Sequence, residues 1–557
     1  MPTRQAREVE PEPVRPRFRI PPAVGRWLWI LLAVPAAYGL WLRVDGWWNA
    51  RVLSADEESI AWSAIGGGVR GWIEHGPDLL QSAPLGWLYL QRLLLQISGG
   101  VNERLMHAPE LVADLAGLAL LGVLAYRLFG LAGTFTVVAL GATNQFLIYY
   151  SYNVKQYAFE ALFTVLLVGT AMVVRQAEDR RAVLGWWGLA AISLAFSQAA
   201  VFAIPAIAAV LVLELVLRSQ WRRLAEFAVT SVLFWAALAL DYVLSLRHSA
   251  ANSYLRTYWL DLGAFPPKTG MSTQWWSNLF SHFATNPIDA AVPIAVLLAA
   301  ALGVARLLWR RPFDGLLVLA PLGAGVLATV LGIYPLWERA ALWTVPLVLL
   351  LFGAAVGGAR TDADSPDFDE PEVAGPPTRL LLGLVAAILL LSAVGYNVLT
   401  VPANLAKRAA VIPDLHPLLD GVKARLQPGD VVLVDSWAYG WTRLYWRTPD
   451  SPKVRAVVYL RPPDETCVAH PVEPLLSGAK RVWLLVINNH DYRPYADAGL
   501  PASLKPYGRV ERALPAGPQT GAYLLYPGPS TGTATGLPSR RSCLAQLPPP
   551  VPNPPPG

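Results

Sequence analysis

Charge is what this chain has least of. Aspartate, glutamate, lysine and arginine make up 15% of its 557 residues, and hydrophobic residues 54%, whereas a soluble domain carries about 25% charged residues. That shortage excludes an ordinary soluble protein and points to a polytopic membrane protein. There are two cysteines, Cys467 and Cys543, too few for a Cys-rich zinc cluster. They fit one disulfide, if their region faces an oxidising space, as well as two free thiols. None of the seven histidines stands in an HxxxH or HExxH pattern, which removes a zinc-protease site. No GxSxG motif and no P-loop occurs, so the common serine-hydrolase and ATPase readings go too. The net charge of +6 does not indicate nucleic acid, because the excess arginines sit at the ends of apolar stretches, where membrane topology explains them. Arginine far outnumbers lysine and Ala, Gly and Pro are abundant, a composition typical of GC-rich bacterial coding sequences.

What is present is a succession of apolar segments. They predict eleven spans, near 27–42, 105–126, 131–150, 157–174, 182–196, 200–217, 225–246, 290–309, 315–333, 340–357 and 379–400, each measured against the roughly 20 residues a bilayer crossing needs. The stretch 84–97 is short and carries Arg92, which reads as an interfacial helix, with a re-entrant segment as the alternative. Residues 1–26 read as a disordered cytoplasmic tail before an uncleaved anchor. Arg127, Arg175/Arg180/Arg181, Arg218/Arg222/Arg223 and Arg310/Arg311 recur at alternate breaks, so those breaks are expected inside, with the N-terminus. The acidic stretch 360–378 then becomes a flexible inner loop, and 43–104 and 247–289 become long outer loops. With an odd number of spans, everything after about 400 lies outside. There, 430–435, 455–460, 481–487 and 522–526 read as buried strands, with a helix over 413–426 before the first. The fold class is thus a polytopic α-helical membrane protein with a small extracytoplasmic α/β domain over 401–527. A disordered Pro-rich tail is expected over 528–557, and no glycine fingerprint marks a nucleotide site.

Three outer positions draw attention to chemistry. Asp56-Glu57-Glu58 follows the first span, where three carboxylates are costly beside a bilayer unless a site uses them; the plain alternative is a solvated acidic turn. Neighbouring helical residues point about 100° apart, so Asp56 and Glu57 cannot reach one point. One can act as a base while the other holds the backbone or a second group. Lys155 lies in the break YYSYNVKQY (149–157) on the side where cations are disfavoured; it either snorkels to headgroups or contacts an anion. Arg339, in YPLWER (334–339), offers a planar fork suited to phosphate, or else pairs with Glu338. Tyr254, Tyr258, Trp259, Trp275, Trp276 and Phe280 in the 247–289 loop form either an interfacial belt or a surface for sugar rings or a lipid chain.

These features resemble the membrane glycosyltransferases of the GT-C fold, in particular glycosyltransferase family 39, the protein O-mannosyltransferases and lipid A aminoarabinose transferases. The resemblance rests on Asp56-Glu57 in the first outer loop and on Pro84-Leu85-Gly86-Trp87. It rests further on Arg104 through Pro109, on the segment Tyr150 to Tyr157, and on Glu338-Arg339 through Pro346. It spans about 27–400 by topology. It implies a polyprenyl-phosphate-linked sugar donor and a glycan, lipid or protein acceptor, with no nucleic acid partner. It also implies Asp56 as base on the acceptor, Glu57 beside it, and Lys155, Tyr157, Arg339 and Arg104 toward the donor phosphate. Two positions depart from the family pattern: Lys155 replaces an arginine, and Gln81-Ser82-Ala83 stands where a lysine is usual. The sugar-binding repeats of eukaryotic protein mannosyltransferases are missing. The expected activity is inverting transfer of a hexose or pentose at the outer face of a bacterial plasma membrane. Carboxylates near phosphate leave room for Mg²⁺ or Mn²⁺. The alternatives are a non-catalytic lipid or glycan transporter and an envelope-assembly protein.

Overall fold

The computed structural model describes residues 22–49, 52–66, 68–77, 81–177, 179–268, 270–357, 377–411, 416–435, 444–445, 454–461, 478–486, 507–515, 521–528 and 543–546. Residues 1–21, nearly all of the acidic loop expected at 360–378, and Cys467 lie outside them, as does any pairing of that cysteine.

Helices follow the apolar segments. Among the described residues, seven are long and apolar enough to cross a bilayer: Glu103–Thr143, Tyr157–Gln176, Ala200–Leu217, Trp221–Ala251, Pro293–Arg310, Pro312–Val330 and Glu338–Gly357. The chain is a multi-pass membrane protein. The first of the seven holds two of the expected spans. Gly130 takes φ 69°, open to glycine and strained for other residues, and the helix doubles back there, bringing Gly122 against Val138 and Gly141 against Leu118. Helices also cover Pro22–Trp48, Arg180–Leu194 and Pro377–Val411. The 15 residues of Arg180–Leu194 extend about 22 Å, less than the roughly 30 Å of hydrocarbon. At Leu85–Ile97 a 13-residue helix buries Trp87, Leu88, Gln91 and Leu95 and exposes Tyr89, Leu93 and Ile97.

The hairpin about Gly130 is the hub, packing on Pro22–Trp48, Tyr157–Gln176, Val345–Gly357 and Pro377–Val411. Val345 to Ala355 are buried on every side, as a helix apolar all round must be. Pro293–Arg310 approaches it closely, since a methyl on Gly303 would overlap the Leu351 carbonyl oxygen. A fully buried Arg43 fastens the first helix to the hub. Its guanidinium pairs with Asp114 and donates to the carbonyls of Ala142 at 2.9 Å and Gly141 at 3.0 Å.

Beyond the bundle stands a six-stranded mixed sheet: β1 Asp430–Asp435, β2 Val454–Arg461, β3 Val482–Val486, β4 Gly508–Pro515, β5 Gly521–Pro527 and β6 Cys543–Gln546, in the order β4-β5-β3-β1-β2-β6. β1 pairs in parallel with β2 and β3, and the other neighbours are antiparallel. Helix His416–Arg425 covers it through Leu418, Leu419 and Val422. The sequence pattern anticipates four of these strands. It misses β4, which carries charges at Arg509, Glu511 and Arg512, and β6. Residues 543–546 fall in the tail expected to be disordered; pairing with β2, which four residues do not advertise on their own, makes them an edge strand instead.

Candidate active site

The three carboxylates occupy the first turn of helix Ala55–Gly66, where they oppose the positive end of the helix dipole. Their side chains diverge. Glu57 turns inward: one oxygen accepts the Ser54 amide at 2.7 Å, closing the capping box Ser54-x-x-Glu57. The other accepts the Val154 amide at 2.7 Å and His107 Nε2 at 2.8 Å. Burial pushes the Glu57 carboxyl up, but the hydrogen bond and charge of His107 and the Ser54 contacts outweigh it and hold it below the usual range. Glu58 is buried as well; desolvation and the charge of Glu57 push its carboxyl well up.

Asp56 alone of the three keeps a partly exposed side chain, 41% exposed, with Arg339 Nη2 at 3.2 Å from its Oδ2. Lys155 is the strongest influence on it and lowers its carboxyl; burial opposes this, and Arg339 lowers it further. Lys155 itself is 5% exposed, and burial draws its ammonium below the usual lysine range against the pull of Asp56. Its hydrogen bond in the structure is from Nζ to Gln81 Oε1, at 2.7 Å. An ammonium carries three donors, so two remain for a ligand. Lys155 comes from the break before Tyr157–Gln176, and Gln81 from the segment before Leu85–Ile97. Glu57 fixes this arrangement from behind, because the amide it grips belongs to Val154, the residue before Lys155.

Arg339 opens the buried turn Glu338–Thr344 and lies over the Trp259 ring at 5.8 Å, which brings the 247–289 loop to the site. In that loop Trp275 is buried with Leu279 and Trp337, while Tyr254 is 54% and Trp276 39% exposed. Tyr149, Tyr150, Tyr152 and Tyr157 form a chain of edge-to-face rings 5.0–6.0 Å apart. Burial pushes the Tyr150 hydroxyl up to about 12 against the opposing charges of Arg339 and Arg408, so it stays a neutral donor. Below it, Glu160 accepts from the Gln198 amide at 3.2 Å and Tyr334 Oη at 3.4 Å.

Asp56, Arg339 and the pair Lys155 and Tyr157, from three separate breaks, therefore come together at one site. Arg104 does not join them. Its Nε donates to the Trp48 carbonyl at 2.9 Å, its guanidinium covers the Trp48 ring at 4.6 Å, and its own carbonyl accepts from Trp47 Nε1. Arg408 was missed by the sequence reading: it lies over Phe146 and Tyr149 at 4.9 and 5.0 Å. The signal was available, since Arg408 follows the expected last span, 379–400, on the side where the expected topology disfavours cations. Among the described residues, no group of three or more His, Cys, Asp or Glu side chains gathers as a metal site. An apolar groove of about 350 Å³ runs between Leu85–Ile97, the first arm of the hairpin and Tyr157–Gln176, lined by residues such as Leu94, Pro109, Ala116 and Phe159.

Neither a protein-family model nor a curated protein matches this chain by sequence. Solved structures do match by shape. ArnT from Cupriavidus metallidurans bound to undecaprenyl phosphate is similar over 90% of this chain and 98% of its own, at 12% identity and a TM-score of 0.51. Its apo state gives 13% identity, the same coverage and a TM-score of 0.49. The oligosaccharyltransferase AglB from Archaeoglobus fulgidus, with an inhibitory peptide and a dolichol-phosphate, covers 83% of this chain and 69% of its own at 14% identity and a TM-score of 0.42. The first of these establishes the fold, which is the GT-C fold.

Proposed function

We propose that this protein transfers a sugar from a polyprenyl-phosphate carrier to a hydroxyl acceptor at the outer face of a bacterial plasma membrane. The observation that carries the reading is the convergence of two cations on Asp56. Lys155 and Arg339 both act on that carboxylate, and Lys155 is buried with a neutral hydrogen-bond partner. Such a site suits an anion, and a phosphate that reached both cations would find donors on each. The GT-C fold, and undecaprenyl phosphate bound to a protein of that fold, support the same donor class.

In this mechanism the acceptor oxygen attacks the anomeric carbon while Asp56 takes its proton. The bond from that carbon to the phosphate oxygen breaks, and its electron pair leaves with the polyprenyl phosphate. Phosphate is already a good leaving group, so no general acid is required. Lys155 and Arg339 neutralise the charge growing on it across an oxocarbenium-like transition state. Attack opposite the departing phosphate inverts the anomeric centre. Before the donor binds, the same cations keep Asp56 ionised and a weak base; a phosphate that engages them raises its basicity when the proton must move. The apolar groove suits the polyprenyl chain.

The eleven-span topology with the sheet outside belongs to this reading. Tyr157 and Arg175 sit at opposite ends of one helix, about 27 Å apart, so site and arginine cluster lie a bilayer's thickness from each other. The test is a proteoliposome assay with labelled polyprenyl-phosphate sugar, with mass spectrometry of lipid-linked sugars in a deletion strain. Asp56→Asn is expected to abolish transfer with donor binding retained. Transfer surviving Asp56→Ala but lost in Glu57→Ala would refute the assignment, and translocation of labelled lipid without transfer would make the protein a transporter.

A further inference from the structure

The outer loop and the sheet unit exchange core residues. Val52, four positions before Asp56, is buried in the sheet unit's core with Leu418, Val422 and Trp483. In return Leu444, from the sheet unit, is buried in the outer loop's core with Leu53, Ile60 and Trp87. Tyr445 packs against both. Its hydroxyl donates to Glu103 Oε1 at 2.6 Å and lies 3.5 Å from the Leu53 amide that points at it. Lys423 Nζ holds the Tyr445 carbonyl at 3.0 Å, and His416 Nε2 stands 3.3 Å from the same Glu103 oxygen. Two segments that each fill a hole in the other's core cannot shift independently, because well-packed interiors do not slide without opening voids.

From this interlock we infer that the sheet unit is a clamp for the carboxylate helix, and that Tyr445 is a positioning residue for Asp56. Its hydroxyl ties the irregular segment Val52–Ser54, which leads directly into the Asp56 turn, to Glu103 at the head of the hub hairpin. The carboxylate is thereby held against Lys155 and Arg339 from the outside, as Glu57 holds it from within. The role of Tyr445 in turnover rests on the transfer reading above; the clamp itself does not.

The full-length protein in detergent, as wild type, Tyr445→Phe and Lys423→Met, tests both parts. Hydrogen exchange read by mass spectrometry is expected to quicken at least fivefold over residues 53–60 in both variants and to stay unchanged in Val345–Gly357. Unchanged exchange over 53–60 in either variant overturns the clamp whatever the protein's activity. In the transfer assay Tyr445→Phe is expected to lower kcat about tenfold at unchanged donor KM, because the base is displaced and the phosphate cations are not. A raised donor KM at normal kcat overturns the positioning role and leaves the transfer reading standing, whereas absence of transfer in the wild type fails that reading alone and leaves the exchange result to decide the clamp.

Discussion

If Lys155 and Arg339 set the basicity of Asp56, removing either must move the acid limb of the pH–rate profile. The Arg339–Asp56 contact of 3.2 Å gives about 1.3 kcal/mol at the dielectric constant of water and about 5 kcal/mol at an effective value near 20. The two side chains are 26% and 41% exposed, so solvent screening favours the lower figure, about one pH unit. Lys155 influences Asp56 more strongly, so its loss should move the limb at least as far. The sign follows from the direction of the shift. The Asp56 carboxyl lies below its ordinary value of 3.8, so the wild-type limb in kcat/KM falls below about pH 4. Arg339→Met and Lys155→Met raise it. The same depression makes ionised Asp56 stabilising above the unfolded value, a contribution lost as pH falls through the folded one. On the proposed mechanism each variant also loses a charge-assisted contact to phosphate, about 1.5–3 kcal/mol, or roughly 10- to 150-fold in kcat/KM. A polyprenyl-phosphate sugar is a phosphodiester and does not titrate between pH 4 and 9, so any limb in that range belongs to the enzyme. The measurement is kcat/KM for polyprenyl-phosphate sugar in proteoliposomes over that range. Limbs that coincide in all three proteins, with Asp56→Asn inactive, would refute the electrostatic coupling.

Other substitutions separate scaffold from chemistry. Glu57→Gln should lower thermal stability by about 3 kcal/mol and activity together, because it breaks a buried network of three donors; Asp56→Asn should lose activity at near-native stability, both read by thermal unfolding beside the transfer assay. Arg104→Ala should leave donor KM unchanged, since its contacts go to Trp47 and Trp48. Ala116→Trp fills the groove and should raise KM several-fold for a long-chain donor but not for a short-chain analogue; equal effects on both would remove the groove from donor binding.

How much of this was legible in the sequence differs from residue to residue. Asp56, Lys155 and Arg339 each sit at a helix end on the face that arginine placement marks as outer, so their common side could be read from one dimension. That Lys155 reaches Gln81 could not, because the two are far apart in sequence and meet only through packing of the hairpin. The structural part played by Glu57 was legible in Ser54-x-x-Glu57, a helix-start signature, but three adjacent carboxylates read first as a site. The doubling back at Gly130 was visible as two apolar segments separated by Arg127. Arg104 looked like the other outer cations because sequence does not reveal which aromatic ring a guanidinium will cover. The exchange of Val52 and Leu444 left no trace in the pattern either, since a buried aliphatic residue looks the same whichever core it enters.

Pairing, more than position, tells the two charged layers of the bundle apart. At the ends that the expected topology puts inside, Arg175 meets Glu214 at 2.5 Å and also Asp314, Arg311 meets Asp314 at 3.0 Å, and Arg218 meets Glu214 at 2.8 Å. Each of these arginines has a carboxylate, as groups that close the ends of packed helices require when taken out of water. At the ends that it puts outside, Lys155 is as buried as a core residue yet rests on an amide oxygen, Arg339 shares a half-exposed aspartate, and Arg408 lies on aromatic rings. Topology accounts for the inner layer, because cations collect there and find partners. It does not account for the outer one, where cations are disfavoured by the same rule and a buried ammonium loses hydration without a full counter-charge. On the proposed reading a ligand supplies that charge, and a phosphate that reaches Lys155 and Arg339 has the sign for it.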